Sequence, residues 1–176
     1  MHDLPCEDGH YFSVLIARAD DPRGELAAFE DSVAAINDPM SQSGWCALWQ
    51  AAKVHDLVFG SVTITGSHRA SAQAVAEERA DIAAIDAMTW RMIQRWDGFA
   101  SQLKVIAETP PTPALPYITR LGADPVPIRD AMATAIATLT PEDRSLLGLR
   151  GVTFIPATQY LNLPIPPKPC QTPANH

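Results

Sequence analysis

Short apolar runs alternate with amphipathic segments over the first two thirds of the chain. Runs of β-branched and small apolar residues predict strands at residues 12–18, 33–36, 61–65, 82–85 and 103–107. Apolar residues spaced three and four apart predict helices at 41–52, 67–78 and 87–96, with a short helical turn at 25–29. Regular alternation of strand and helix predicts an α/β fold with a largely parallel sheet and flanking helices.

The last third of the chain has a different pattern. Four prolines between residues 108 and 116 predict a stiff extended connector, because proline removes backbone donors. Residues 117–119 are expected to pair briefly as a strand. The spacing of apolar residues predicts an amphipathic helix at 125–139, with an apolar face made of Ile128, Ala131, Met132, Ala135, Ile136 and Leu139. Thr140 and Pro141 predict the start of a second helix that ends at Gly148 and Gly151, and a proline-rich tail follows from Pro164.

Composition excludes several classes of protein. The 176-residue chain is 47% hydrophobic and 19% charged, and no apolar run approaches the roughly 18 residues of a membrane span. A net charge of −7 argues against a nucleic-acid partner. The three cysteines are far apart, which suggests neither a disulfide framework nor a zinc site. His2, Cys6 and His10 have helical metal-ligand spacing, but Pro5 and Gly9 interrupt that helix, and no cofactor is implied.

Polar side chains follow three of the predicted strands. They are Asn37, Asp38, Ser41 and Ser43 in the first turn, Gly66, Ser67 and His68 in the second, and Asp86 and Thr89 in the third. Ligands of parallel α/β sheets bind beyond the carboxyl ends of the strands, where helix N-termini point. Hydroxyl, N–H and imidazole donors beside one carboxylate acceptor suit an oxyanion that carries a proton.

Each of these residues also has a structural interpretation. Ser41, Ser43, Ser67 and Asp86 are plausible N-caps, and His68 could be a solvated residue of a first helical turn. Trp45 and Trp90 are more typical of core packing, although they lie near enough to the turns to wall a pocket. The order Ser43, His68, Asp86 would suit a nucleophilic triad, but the segment lacks the G-x-S-x-G elbow, so hydrolysis is not favoured.

Four segments in order resemble a known family. They are Asn37-Asp-Pro-Met-Ser-Gln-Ser-Gly44, Thr65-Gly-Ser-His-Arg-Ala-Ser71, the strand ending at Asp86, and the proline-rich crossover from Glu108. Over about residues 7–160 the chain is similar to the phosphate, phosphite and phosphonate-binding proteins of ABC transporters, which have the type II periplasmic binding fold. The resemblance implies a ligand-binding set of Ser41, Gln42, Ser43, Gly44, Ser67, His68 and Asp86.

The resemblance also implies a domain division. Residues 1–18 would contain the strand crossing into the second lobe, 19–108 the ligand-binding lobe, and 109–119 the crossover. Residues 120–163 would be a helical remnant of the first lobe and 164–176 an extended tail. Most of the first lobe is then absent from this sequence. The apolar face that it would cover predicts self-association, as a homo-oligomer or a domain swap.

The expected function is that of a substrate-binding component, not an enzyme, which captures a small phosphorus oxyanion by hydrogen bonding and hinge closure. Its expected partners are that anion and an ABC permease. Two alternatives stay open, namely an enzyme on the same fold acting on a small anionic metabolite, and a sensory or interaction module outside transport. The resemblance places the protein in the periplasm, whereas the sequence begins without a signal peptide, which leaves the cytoplasm as the alternative.

Overall fold

The computed structural model describes residues 1–170, which form two compact units. The first, called here the sheet unit, comprises Phe12–Pro110 and the segment that begins at Pro164. The second, called the helical unit, comprises Met1–Tyr11 and Pro111–Leu163. All the residues expected to bind ligand belong to the sheet unit.

The strands and the α-helices are each numbered in chain order. The strands are β1 (His10–Tyr11), β2 (Ser13–Arg18), β3 (Val33–Ile36), β4 (Ser61–Ile64), β5 (Ile82–Asp86), β6 (Leu103–Glu108) and β7 (Thr112–Pro113). The α-helices are α1 (Ala47–Val54), α2 (His68–Ala76), α3 (Ala87–Trp96), α4 (Val126–Ala137), α5 (Pro141–Leu147) and α6 (Ala157–Leu161). Leu26–Phe29 and Gly98–Gln102 are 3₁₀ turns, and Gln42–Cys46 is a turn of π-helix.

The sheet unit is built on a five-stranded sheet with the order β4-β3-β5-β2-β6. Strand β3 runs parallel to both β4 and β5, as expected for strands joined through helices. Strand β2 runs antiparallel to its neighbours β5 and β6. The α/β class is confirmed, and one reversed strand makes the sheet mixed.

The core lies on both faces of this sheet. Central strands β2 and β5 are buried along almost their whole length, because helices cover both faces. The largest fully buried apolar side chains are Phe29, Leu15, Ile16, Ile36, Leu48, Ile82, Ile85, Ile93 and Val75. The turns that follow β3, β4 and β5 therefore stand on a rigid base.

The helical unit departs from the sequence expectation at several points. Helix α4 contains no fully buried residue, although Met132 and Ile136 of the expected apolar face are half-buried. The strand expected at 117–119 is wrong, because β7 makes the pairing instead, antiparallel to β1. Thr140 caps α5 by accepting the Asp143 N–H at 3.0 Å. Helix α6 was not expected from the sequence.

The proline-rich segment 164–170, called here the C-terminal strap, packs on the sheet unit. The indole N–H of Trp45 donates to the Pro167 carbonyl at 2.7 Å, and the Cys46 thiol lies 3.4 Å from the Pro164 carbonyl. The Val62 N–H of edge strand β4 donates to the Cys170 carbonyl at 2.9 Å. Residues 171–176 of the expected tail lie outside the described residues.

Within residues 1–170, none of the helices has the length and apolar character needed to span a bilayer.

Candidate functional site: an anion cradle at one sheet edge

Three turns, at residues 37–44, 66–68 and 86–89, come together at the carboxyl edge of β3, β4 and β5. Together they are the candidate anion site, called here the cradle. Backbone hydrogen bonds tie the second turn to the first, from Thr65 N–H to the Ile36 carbonyl (2.8 Å) and from Gly66 N–H to the Asn37 carbonyl (3.0 Å). Gly66 has a φ of +86°, a conformation that glycine adopts without steric cost. Strand β2 begins at the same edge, where Ser13 is paired with Asp86.

The first turn begins at Ser41 and opens as π-helix, not as the expected α-helix. The Cys46 N–H donates to the Ser41 carbonyl five residues earlier at 3.0 Å, and Ser41 Oγ accepts the Gly44 N–H at 3.0 Å. A hydroxyl that accepts in this way keeps its own proton for donation. The first N–H groups of a helix have no intrahelical acceptor, so those of Gln42 and Ser43 are also available to an anion.

Gly44 packs against the side chain of Asn37. A Cβ atom placed on Gly44 would lie 1.8 Å from Asn37 Oδ1, so only glycine fits beside the present position of that amide. Asn37 Oδ1 is itself buried and has no hydrogen-bond partner within residues 1–170. The absence of a side chain at Gly44 therefore leaves the room that the Asn37 amide occupies beside the first turn.

The first and second turns meet through Ser43 and His68. Ser43 Oγ lies 2.8 Å from His68 Nε2, and His68 Nδ1 lies 3.2 Å from the Ala84 carbonyl oxygen. A carbonyl only accepts, so this bond assigns the proton of neutral His68 to Nδ1 and makes Nε2 the acceptor of the Ser43 hydroxyl. Burial lowers the pKa of His68 below its usual range, and the Asp86 carboxylate and the Ala84 carbonyl partly offset that shift.

The third turn places a carboxylate beside this pair. Asp86 caps α3, because its Oδ1 accepts the Thr89 N–H at 2.9 Å and the Thr89 hydroxyl at 3.2 Å. Both bonds use the same oxygen, and Oδ2 has no hydrogen-bond partner within the part of the chain that the structure describes. Asp86 can thus cap the helix and accept a proton from a ligand with its other oxygen.

Two of the expected ligand-binding residues lie in the same turns, but their side chains make no hydrogen bond to Ser43 or His68. Ser67 is exposed, and its hydroxyl caps α2 by accepting the Ala70 N–H at 3.1 Å. The side chain of Gln42 is partly exposed and makes no hydrogen bond to residues 1–170. For these two residues, as for the other five, a ligand-binding role stays a prediction.

Sequence reasoning missed Ser13. This residue is 2% exposed, and its hydroxyl donates to the Ser43 carbonyl at 2.8 Å, which fixes the backbone on which Ser43 is carried. Its N–H donates to the Thr109 hydroxyl at 3.0 Å. The available signal was the single hydroxyl in the run 12–17, whose other residues are apolar, since a buried hydroxyl requires a partner.

The remaining alternatives from the sequence can also be placed. Trp45 and Trp90 are each 6% exposed and pack in the interior. His68 Nδ1 bonds the Ala84 carbonyl, so Asp86 does not hold the imidazole as the third member of a hydrolytic triad does. Among residues 1–170, no group of three or more His, Cys, Asp or Glu could hold a metal ion.

The sheet order and the reversed strand define the fold class of the protein. It has the type II periplasmic binding fold, as do the solved structures that it resembles. Residues 5–160 match the family of periplasmic substrate-binding proteins of phosphonate ABC transporters, and the chain belongs to that family.

Three solved structures illustrate the likeness. XAC2383 from Xanthomonas citri, bound to chloride, is 19% identical with a TM-score of 0.65, and the match covers 93% of this chain and 67% of that one. A binding protein component of an ABC phosphonate transporter from Pseudomonas aeruginosa is 23% identical (TM-score 0.65; 83% and 52% covered). PhnD1 from Prochlorococcus marinus in complex with methylphosphonate is 16% identical (TM-score 0.56; 64% and 44% covered).

At these identities the likeness shows the fold. The chain spans between 44% and 67% of the length of these relatives. No curated protein matches the chain significantly.

Proposed function

We propose that this chain carries the anion-binding lobe of a substrate-binding protein for a small phosphorus oxyanion, either phosphate, phosphite or a phosphonate. The observation that carries the proposal is the Ser43–His68 contact. It lies between the turn that Ser41 caps and the Asp86 carboxylate, of which only Oδ1 is hydrogen-bonded within residues 1–170. Family membership and the methylphosphonate complex of PhnD1 support the same class of ligand.

Each group of the cradle has a chemical role in this proposal. The Ser41 hydroxyl and the N–H groups at the start of the first turn donate to ligand oxygens, and the helix dipole favours their negative charge. Ser43 and His68, which join the first and second turns, add further donors. Asp86 accepts the proton of a P–OH group, which gives a basis for preferring a protonated phosphorus oxyanion to sulfate.

The test is isothermal titration calorimetry of the chain with phosphate, phosphite, methylphosphonate and 2-aminoethylphosphonate. Sulfate and acetate are the control ligands. We expect saturable binding of at least one phosphorus oxyanion and none of the controls. Ser101→Ala is the matched control for Ser43→Ala, since it removes an exposed hydroxyl of the same unit and should leave the dissociation constant unchanged. Absence of binding to all four, or equal binding of sulfate, would overturn the proposal.

Family membership supports a proposal for the cellular role. Members of the family are periplasmic and serve ABC permeases, so we infer that this chain presents its anion to a permease in the periplasm. We expect cells that carry the permease and this protein to transport the selected anion. Transport should be lost with Ser43→Ala. Uptake that does not change with Ser43→Ala would separate the protein from transport.

A further inference from the structure

The hydrogen bonds of the free cradle leave the Ser43 proton engaged. The Ala84 carbonyl holds the proton of neutral His68 on Nδ1, so the Ser43 hydroxyl donates to Nε2. A serine proton directed at an imidazole cannot at the same time be directed at an anion. In the neutral pair, the Ser43 hydroxyl is therefore not available as a donor to the anion.

We propose that Ser43 and His68 form a proton-gated donor pair, in which the cradle takes up one proton from solvent together with the anion. The proposal rests on the proposed function of the site. The added proton binds to Nε2, and the Nε2–H then donates to Ser43 Oγ. The Ser43 hydroxyl turns away and donates its own proton to a ligand oxygen. No covalent bond other than N–H forms, and the Nδ1–H bond to the Ala84 carbonyl stays in place.

The surroundings of His68 favour this exchange only when an anion is present. Partial burial disfavours the charged ring in the free protein, and Asp86 is the carboxylate whose charge counteracts that cost. Arg69, the next residue of α2, is paired with Asp97 through two hydrogen bonds. The other charged residues of the strands and helices packed against α2 are Arg18, Arg91, Arg95, Lys104 and Glu108. An anion beside the ring adds a second negative charge, which raises the pKa of His68.

The backbone around the pair keeps its geometry through the exchange. The Ser13 hydroxyl holds the Ser43 carbonyl at 2.8 Å, and Ser13 is almost fully buried. The ring is held from the other side by the Ala84 carbonyl on β5. With both partners anchored, the change reduces to the rotation of one hydroxyl and the gain of one proton.

The test is ¹⁵N NMR of the imidazole nitrogens, with the His68 signal assigned by its loss in His68→Gln. In the free protein at about pH 7 we expect a protonated Nδ1 and an unprotonated Nε2. In the presence of saturating phosphite both nitrogens should carry protons. An Nε2–H tautomer in the free protein, or a neutral ring in the saturated complex, would overturn the proposal.

Two variants separate the pair from a merely structural histidine. In the free protein, Ser43→Ala removes the oxygen that accepts the Nε2–H of the charged ring, and this bond is stronger than the one that the neutral ring receives from the hydroxyl, so the pKa of His68 should fall. Ser43→Thr keeps the hydroxyl and should leave the pKa close to that of the parent. Calorimetry with phosphite in two buffers of different ionisation enthalpy measures the number of protons taken up on binding. We expect His68→Gln to take up about one proton fewer than the parent does. Binding with no difference in proton uptake rejects the gate alone, while absence of binding at every pH rejects the proposed function as well.

Discussion

Ser41 Oγ accepts the backbone N–H of Gly44 at 3.0 Å, so this serine has a structural use, and the proposed function gives it a ligand-binding use as well. The oxygen caps the first turn, whereas the hydroxyl proton is free to donate. Substitutions that keep the cap and remove the donor can separate the two uses.

Ser41→Asp and Ser41→Ala form such a pair. Aspartate is as good an N-cap as serine, so we expect Ser41→Asp to keep the free energy of unfolding while its charge repels the anion and abolishes binding. Ser41→Ala should lower the free energy of unfolding by about 1 kcal/mol and weaken binding less than the aspartate does. Urea unfolding and calorimetry measure the two effects. If Ser41→Asp bound the anion as well as the parent does, Ser41 would lie outside the cradle.

His68 is expected to contribute both a donor and, when protonated, a positive charge. His68→Ala should therefore weaken anion binding by about tenfold or more. His55→Ala is the matched control, because His55 is an exposed histidine that follows α1 and lies outside the three turns of the cradle. Equal dissociation constants for His68→Ala and the parent would remove His68 from the site.

The strands around the cradle could be predicted from the sequence because each depends on local pattern. β3 has the expected bounds, and β4 and β5 each differ from the expectation by one residue at the carboxyl end. The helix starts at Ser67 and Asp86 were also recognisable, since a serine or aspartate before an amphipathic segment is a typical N-cap. These signals place the three turns at one edge of the sheet.

Contacts between distant residues were outside the reach of that reasoning. Periodicity does not encode strand direction, so the reversal of β2 was missed. The bond from Ser13 to Ser43 joins residues thirty positions apart, and the tautomer of His68 depends on a carbonyl of another strand. The π-helical opening of the first turn depends on a backbone hydrogen bond from the Cys46 N–H to the Ser41 carbonyl, and no pattern of side chains predicts that bond.

Gly44 and Asn37 should behave as a coupled pair. Gly44→Ala would place a Cβ 1.8 Å from Asn37 Oδ1, so the asparagine must move. We expect Gly44→Ala to weaken anion binding and to lower the free energy of unfolding by about 1–3 kcal/mol. In an Asn37→Ala background the same glycine substitution should cost less, because the clash is gone. Equal costs in the two backgrounds, measured by urea unfolding, would show that the contact is not the cause.

Asp21 gives the sheet unit a pH-dependent contribution to stability. Hydrogen bonds from the Arg23 guanidinium lower the pKa of Asp21 from its ordinary value of 3.8 to about 2. A carboxylate whose pKa is depressed by folding stabilises the protein above its unfolded pKa, and the stabilisation is lost as the pH falls from about 4 to about 2. Allowing for screening by solvent, we expect this contribution to be on the order of 1 kcal/mol.

Asp21→Asn should remove that part of the pH dependence. Urea unfolding of the parent and the variant at neutral and acid pH gives the difference directly. Asp20→Asn is the matched control, because the Asp20 side chain is 71% exposed and its pairing with Arg18 is a surface contact. An equal loss of stability on acidification in the parent and in Asp21→Asn would show that the Arg23 bond does not contribute.

The C-terminal strap should protect Cys46. The thiol is fully buried, it lies 3.4 Å from the Pro164 carbonyl, and burial raises its pKa. Removing residues after Leu163 takes away this carbonyl and the acceptor of the Trp45 indole N–H, Pro167. The exposed thiol should then form thiolate more readily and react with Ellman's reagent about tenfold faster or more.

A matched pair of chains isolates this effect. One chain ends at Leu163 and carries Cys6→Ser; the other ends at Cys170 and carries Cys6→Ser and Cys170→Ser, so that Cys46 is the single cysteine of each. We expect fast labelling and red-shifted tryptophan fluorescence in the shorter chain alone, because water reaches Cys46 and Trp45 only where the strap is missing. Equal labelling rates would mean that the helices and strands of the sheet unit bury Cys46 without help from the strap.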